Sequence, residues 1–98
     1  MKKATFHEEA QAEMIEAACY YEKRSAGLGT LFLAEVDDAV VGIEATPEAF
    51  QLVGDEVRRK LLGRFPYGLL YAIEPDRLRI VAVAHHKRRP GYWRFRLR

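Results

Sequence analysis

The residues best suited to chemistry are basic and proton-transferring side chains in the second half of the chain. On a strand, where side chains alternate with a period of two, Arg58, Lys60 and Arg64 would share one face. His85 and Tyr92 follow them, and both side chains can give or accept a proton. Positive charge beside proton-transfer groups is the combination that cleavage of a phosphodiester requires. These five residues are therefore the first candidates for a catalytic site.

The C-terminal tail, residues 86–98, adds further basic and aromatic groups. Arg88 and Arg89 lie just past the last predicted strand and could converge on the same surface, with Arg88 a further catalytic candidate. Tyr92 and Trp93 could stack on a base, which would hold a nucleotide without reading its sequence. The tail therefore extends the candidate site beyond the strands.

Each of these residues also has a structural explanation. Arg58, Arg59 and Lys60 are typical of a solvated strand edge, where basic side chains discourage aggregation. A lone histidine at the end of a buried strand, as predicted for His85, is more often a hydrogen-bonded structural residue than an acid or base. Trp93 is equally compatible with a place at the edge of the core. The sequence leaves both interpretations open.

The charge is distributed unevenly along the chain. Residues 1–56 carry four basic and twelve acidic groups, whereas residues 57–98 carry twelve basic groups and two acidic ones. The halves therefore have formal charges of −8 and +10, although the whole chain is only +2. This asymmetry favours a surface that meets a polyanion or an acidic partner, and the two halves also neutralise each other across the fold.

Several classes of site have no motif in this sequence. Gly27 and Gly29 lie between predicted helices, and no glycine-rich phosphate loop occurs. No serine or cysteine nucleophile motif is present. His85 and His86 have no cysteine or carboxylate pattern nearby that would complete a metal site. We therefore expect no cofactor, no metal and no conventional small-molecule enzyme.

The length and composition predict one domain spanning residues 1–98. No apolar run approaches the ~20 residues that cross a bilayer. The basic N-terminus leads into His7-Glu8-Glu9 instead of an apolar signal segment. The single cysteine, Cys19, cannot form an internal disulfide, which agrees with a reducing compartment. We expect a cytoplasmic protein without membrane contact.

The periodicity of apolar residues predicts an α+β fold. A short strand at residues 2–6 precedes two helices, which a Gly27-Leu28-Gly29 break separates. The loop 46–56 should tuck Phe50, Leu52 and Val53 under the core, and three strands should follow it. The predicted helices are about 7–24 and 30–45, and the predicted later strands are 57–63, 67–74 and 77–85, the last two joined by a tight turn at Pro75-Asp76. The order β-αα-βββ describes an antiparallel β-sheet with a helical hairpin packed on one face.

This order, together with a set of short motifs, resembles the RelE/ParE superfamily of toxins from type II toxin–antitoxin systems, also called plasmid stabilisation proteins. The resemblance spans nearly all of the chain. Its motifs are Tyr20-Tyr21-Glu22, Gly27-Leu28-Gly29, Phe32-Leu33, Val57-Arg58-Arg59-Lys60-Leu61-Leu62, Arg64-Phe65-Pro66-Tyr67, Leu70-Tyr71, Ile80-Val81-Ala82-Val83-Ala84-His85, Arg88, Pro90 and Tyr92-Trp93. It implies a growth-inhibiting protein that an antitoxin holds silent.

The resemblance implies two alternative mechanisms. RelE-like members cleave mRNA in the ribosome with basic and tyrosine side chains, and Arg88 and Tyr92 most nearly match that site, although their spacing differs. ParE-like members carry no such chemistry and inhibit DNA gyrase. The basic, aromatic C-terminus favours the ribosome-dependent endoribonuclease slightly, and the incomplete match keeps the gyrase inhibitor as the alternative, because a shared fold does not choose between them.

The antitoxin implied by the resemblance is expected to lay an amphipathic helix in a groove and wrap an extended segment over the sheet. Antitoxins are commonly acidic where they meet the toxin, and the C-terminal half offers the opposite charge. We expect four arginines to face the antitoxin or the target, with Trp93 beside them as a further contact residue. They are Arg88, Arg89, Arg94 and Arg96.

Overall fold

A computed structural model describes residues 2–97. Five strands form one sheet in the order β1-β5-β4-β3-β2, and two helices lie between β1 and β2 in the sequence. The strands are β1 (Ala4–Phe6), β2 (Gln51–Gly54), β3 (Val57–Leu61), β4 (Tyr67–Ile73) and β5 (Leu78–His85). The helices are α1 (Glu8–Arg24) and α2 (Leu28–Ala45), and short 3-10 turns cover Pro47–Ala49 and Arg94–Leu97.

The predicted helical hairpin is confirmed, with one difference at its turn. The break covers residues 25–27, so of the predicted Gly27-Leu28-Gly29 only Gly27 belongs to it, and its φ of 88° is in the left-handed region that favours glycine. Gly29 lies inside α2 and packs against the backbone of α1 near Ala18. The carboxylate of Glu22 accepts hydrogen bonds from the backbone N–H groups of Gly27 and Gly29 at 2.8 and 3.0 Å, which satisfies donors at the start of α2.

The sheet is mixed, because β1 runs parallel to β5. The other neighbours are antiparallel, as predicted, and a backbone hydrogen bond from Glu74 to Arg77 closes the hairpin at Pro75-Asp76. The two helices carry the chain back to the end of the sheet at which β1 stops, so β2 starts there and runs in the opposite direction to β1. The strands β3, β4 and β5 then alternate in direction, which makes β5 parallel to β1.

The segment predicted as a loop contains the edge strand β2, which pairs with β3. Phe50 packs against the core beneath the helices, as expected, and Val53 packs on the opposite face of the sheet. The prediction for Leu52 is wrong, since this side chain is 54% exposed. β2 is only four residues long and gains its order from the pairing with β3.

Both faces of the sheet are covered, each by a different part of the chain. The larger core lies between the sheet and the helices and includes Phe32, Ile43, Leu69 and Tyr71. The smaller core lies on the other face, where the C-terminal segment packs Trp93 over the strands. β4 and β5 are therefore buried on both sides, which explains their nearly continuous apolar sequences.

None of the helices within residues 2–97 has both the length and the apolar character to cross a bilayer.

Candidate functional site

The carboxylate of Glu13 on α1 holds the C-terminal segment in place. It accepts a hydrogen bond from the Tyr92 hydroxyl at 2.8 Å and two from the Arg96 guanidinium at 3.0 Å each. Arg96 is only 6% exposed, so its charge is neutralised inside the protein. The Arg88 guanidinium lies farther away, 3.8 Å from the Glu13 carboxylate.

This network also closes a gap at the edge of β5. β1 pairs with β5 only as far as Ile80, and a bulge leaves Val81 without a partner in β4. Beyond that point the Val83 N–H donates to Glu13 at 3.0 Å, and the Val81 carbonyl accepts from Arg96 at 3.0 Å. Side chains therefore replace the missing strand, which satisfies backbone groups that would otherwise be buried without partners.

Glu13 was not identified from the sequence, although a signal was present. Ala10 and Ala17 are buried on α1, and Glu13 lies three residues after the first and four before the second. It therefore falls on the same helix face as two buried alanines. A carboxylate in that position needs a cationic partner, and the sequence does not say that the partner is Arg96, 83 residues away.

The environment of Tyr92 favours its protonated form. Burial raises the pKa of the Tyr92 hydroxyl well above its ordinary value, and the hydrogen bond to Glu13 raises it further. The guanidinium of Arg88 covers one face of the ring, with its carbon 3.8 Å from the ring centroid. This hydroxyl can donate a hydrogen bond, but it is poorly suited to accept a proton as a base.

The other proton-transfer candidate, His85, ends β5 next to Tyr67. The two rings meet edge to face with centroids 5.1 Å apart. The Nδ1 atom of His85 accepts a hydrogen bond from the backbone N–H of Lys87 at 3.0 Å. His85 therefore organises the turn that follows β5, as the structural explanation anticipated.

The basic residues predicted on β3 do not form one cluster with the tail. Arg58 and Lys60 lie opposite Tyr71 and Leu69 on β4, which places both on the face covered by the helices. The Arg58 guanidinium donates to the backbone carbonyl of Phe50 at 2.7 Å and so holds the chain that leads into β2.

Arg64 lies outside the strand, which ends at Leu61, so the prediction that it shares a strand face with Arg58 and Lys60 is wrong. Its guanidinium pairs with Glu35 on α2 at 2.7 Å. The same carboxylate accepts from the backbone N–H groups of Gly63 and Arg64 at 3.1 Å each. These contacts, the bond to the Arg64 guanidinium foremost, lower the pKa of the Glu35 carboxyl.

The residues predicted to meet a partner fall into two groups. Arg88 and Arg89 are exposed on the turn after β5. Arg94 is exposed but forms an ion pair with Asp55. Arg96 is buried on Glu13 and Trp93 is 4% exposed in the smaller core, so neither offers a contact surface as it lies here.

Three concave regions bring candidate residues together. A groove of about 780 Å³ lies beside α1 and includes Glu13, Tyr20, Tyr67, His85 and Arg88. A pocket of about 260 Å³ on the opposite face of the sheet combines Arg59 with the residues of the tail. A third, of about 270 Å³, joins Lys60 and Arg64 to acidic residues of α2.

Lys60 and Arg64 line the third region, whereas Arg88 lines the first and second and Tyr92 lines the second. Among the described residues, therefore, none of the three regions brings these four side chains together. Within residues 2–97 there is also no cluster of three or more histidine, cysteine, aspartate or glutamate side chains placed to hold a metal ion.

Comparison with known proteins now defines the class of this protein. A fold of this topology, with a helical hairpin over a mixed five-stranded sheet, also occurs in a solved structure described as the chromosomal ParDE TA system from P. aeruginosa. The TM-score is 0.64 with 15% sequence identity, over 87% of this chain and 96% of that chain. At this identity the likeness concerns the fold. No curated protein matches the chain.

The family assignment comes from the sequence. The model of the family described as the ParE toxin of the type II toxin–antitoxin system, parDE, matches residues 4–90. The chain belongs to this ParE toxin family.

Proposed function

We propose that this protein arrests growth as a ParE-like inhibitor of DNA gyrase, acting by binding and without chemistry of its own. The observation that carries the proposal is the match of the ParE family over residues 4–90, nearly the whole chain. It favours the alternative mechanism over the ribosome-dependent nuclease that the basic C-terminus had slightly favoured. Gyrase acts on DNA in the cytoplasm, so the proposal places the protein there.

The arrangement of the candidate catalytic residues supports a binding role. Cleavage of RNA requires positive charge and proton-transfer groups around one phosphate. Here Arg58 holds backbone carbonyls and Arg64 holds Glu35, whereas Arg88 and Tyr92 lie against Glu13. These side chains serve different parts of the fold, which is the pattern of structural residues.

Tyr92 supports the same conclusion through its protonation. A nuclease that used this tyrosine as its base would need a hydroxyl that loses its proton readily. The raised pKa of Tyr92 and its hydrogen bond to a carboxylate oppose that loss. A general acid at this position would also have to break the bond to Glu13 before it could donate to a leaving group.

The proposed partner in the resting cell is a cognate antitoxin. The parDE family description supports this pairing, as does the description of the similar structure as a ParDE TA system. Arg88 and Arg89 are the exposed basic residues best placed to meet an acidic antitoxin, whereas Arg96 already has Glu13 as its partner. We expect Arg88→Ala with Arg89→Ala to weaken antitoxin binding more than the matched change of Lys23 and Arg24 on α1.

The test of the proposed function is pulse labelling of DNA and protein synthesis in the first minutes after this chain alone is induced. The proposal predicts that DNA synthesis falls first while translation continues. Tyr92→Phe should leave this response in place, because the hydroxyl has no chemical role. Early collapse of translation, abolished by Tyr92→Phe in a folded protein, would instead establish the nuclease.

A further inference from the structure

The pocket of about 260 Å³ on the face of the sheet opposite the helices is strongly basic. Its walls contain three arginines and two histidines, and none of the residues that line it is acidic. The basic pocket, as we call it, is defined by Arg59, His85, His86, Arg88 and Arg89. This concentration of basic side chains makes the local electrostatic potential positive and attracts an anion.

The position of Arg59 shows that the pocket is built into the sheet. Arg59 lies on β3 opposite Leu70, on the face covered by the C-terminal segment. Gly68 on β4 leaves room for it, since a Cβ at Gly68 would lie only 3.2 Å from the Cγ atom of Arg59. A glycine in the middle of a sheet weakens the strand, and here its lack of a side chain accommodates the stem of an arginine.

The arginines of the pocket have few bonding partners among the described residues. Arg59 forms only a long hydrogen bond of 3.4 Å to Gln51, and Arg89 has no ion-pair partner within residues 2–97. Arg88 lies 3.8 Å from Glu13, which already bonds to Tyr92 and Arg96. These guanidinium groups therefore keep donors for a ligand.

The chemistry of the pocket suits a phosphate group. It contains three guanidinium groups, and a guanidinium group can bind phosphate oxygens through two parallel N–H donors. Aromatic stacking contributes little, since Arg88 covers one face of Tyr92 and Trp93 is buried. A site with donors and no open aromatic face binds the backbone of a nucleic acid and ignores its bases.

We infer that the basic pocket holds a backbone phosphate of duplex DNA. The choice of DNA over RNA rests on the proposed function, because DNA is the substrate of gyrase. The pocket would place the toxin on the DNA that gyrase has bound and would orient it without sequence preference.

The test measures binding of the purified full-length protein to a fluorescent 20-base-pair duplex across a series of salt concentrations, without gyrase. We expect Arg59→Gln with Arg89→Gln to lower the slope of log affinity against log salt by about 0.9, the change that accompanies the loss of one phosphate contact. The matched control removes the same charge outside the pocket with Arg79→Gln and Lys23→Gln, and should flatten it less. Arg59→Lys with Arg89→Lys should restore the slope.

Equal slopes for the pocket and control variants would overturn the inference, because the attraction would then be diffuse.

Two further probes distinguish other sources of the anion. If the pocket variant loses only inorganic phosphate binding, the site takes a free anion and not DNA. If it loses only polyglutamate binding, the site takes an acidic protein. Both results overturn the inference. Circular dichroism confirms that each variant is folded.

Failure of this inference and failure of the proposed function are separable. Gyrase inhibition with an unchanged salt slope would leave the proposed function intact and remove the DNA contact. A pocket-dependent slope without gyrase inhibition would retain a DNA-binding site and remove gyrase as the target.

Discussion

The hydroxyl of Tyr92 donates to the carboxylate of Glu13, 79 residues earlier in the chain, at a distance of 2.8 Å. Arg96 binds the same carboxylate through two nitrogens. Tyr92, one of the two residues that most nearly match a RelE-like nuclease site, therefore helps to hold the C-terminal segment on α1. The buried charge of Arg96 makes this contact energetically important, since Glu13 at 3.0 Å is the nearer of its two carboxylate partners and Glu9 lies at 3.7 Å.

We expect Glu13→Gln to lower the free energy of unfolding by about 3 kcal/mol, because it leaves the buried Arg96 without its main counter-charge. Chemical denaturation monitored by circular dichroism measures the change. Glu16→Gln is the matched control, since Glu16 is exposed on the same helix, and should change stability by less than about 0.5 kcal/mol. Equal midpoints for the two variants would show that Glu13 does not anchor the C-terminal segment.

We expect Gly29→Ala to destabilise the protein by about 1–3 kcal/mol, because the new methyl group would overlap the backbone carbonyl of Ala18 in α1. Gly42→Ala in the same helix is the control. Its Cβ would have only ordinary contacts, at 3.7 Å or more, so the change should stabilise α2 by about 0.5–1 kcal/mol. Melting temperatures that shift in opposite directions support the close approach of the two helices. A stabilising Gly29→Ala contradicts it.

The ion pair between Glu35 and Arg64 should make stability depend on acid pH. The pKa of the Glu35 carboxyl is lower in the folded protein than in the unfolded chain, where it is near 4.5. The ion pair therefore stabilises the fold fully above the unfolded pKa, and this contribution is lost as the pH falls through the lower folded pKa. We expect the wild type to lose more stability than Glu35→Gln as the pH falls from about 6 to about 3, as measured by urea denaturation. Parallel curves for the two proteins would contradict this. Arg64 is largely exposed, so the difference should be modest.

The sequence predicted the elements whose patterns are local. The helices and the strands β4 and β5 carry long periodic or continuous apolar segments, and Gly27, Pro47 and Pro75 follow the ends of α1, α2 and β4 within three residues. β2 was missed because four residues carry too little pattern, and its order depends on pairing with β3. The parallel position of β1 depends on how the chain crosses the sheet, which composition does not specify.

The candidate site was harder to predict, because it depends on which charges meet. Arg58, Arg64 and Arg96 are alike in sequence, yet the first binds backbone carbonyls, the second binds α2 and the third is buried on α1. Each partner lies 8 or more residues away along the chain. Only the fold decides which arginines remain available. Of the four expected to meet a partner, Arg96 is buried and Arg94 is paired with Asp55, whereas Arg88 and Arg89 are exposed on the turn after β5.

The most direct test of the central claim is a supercoiling assay with purified DNA gyrase and the purified protein, run beside an mRNA-cleavage assay on translating ribosomes. Our account predicts that the protein inhibits gyrase, that Tyr92→Phe inhibits it equally well, and that the mRNA remains intact. Full gyrase activity together with cleaved mRNA would contradict the account and establish the nuclease mechanism.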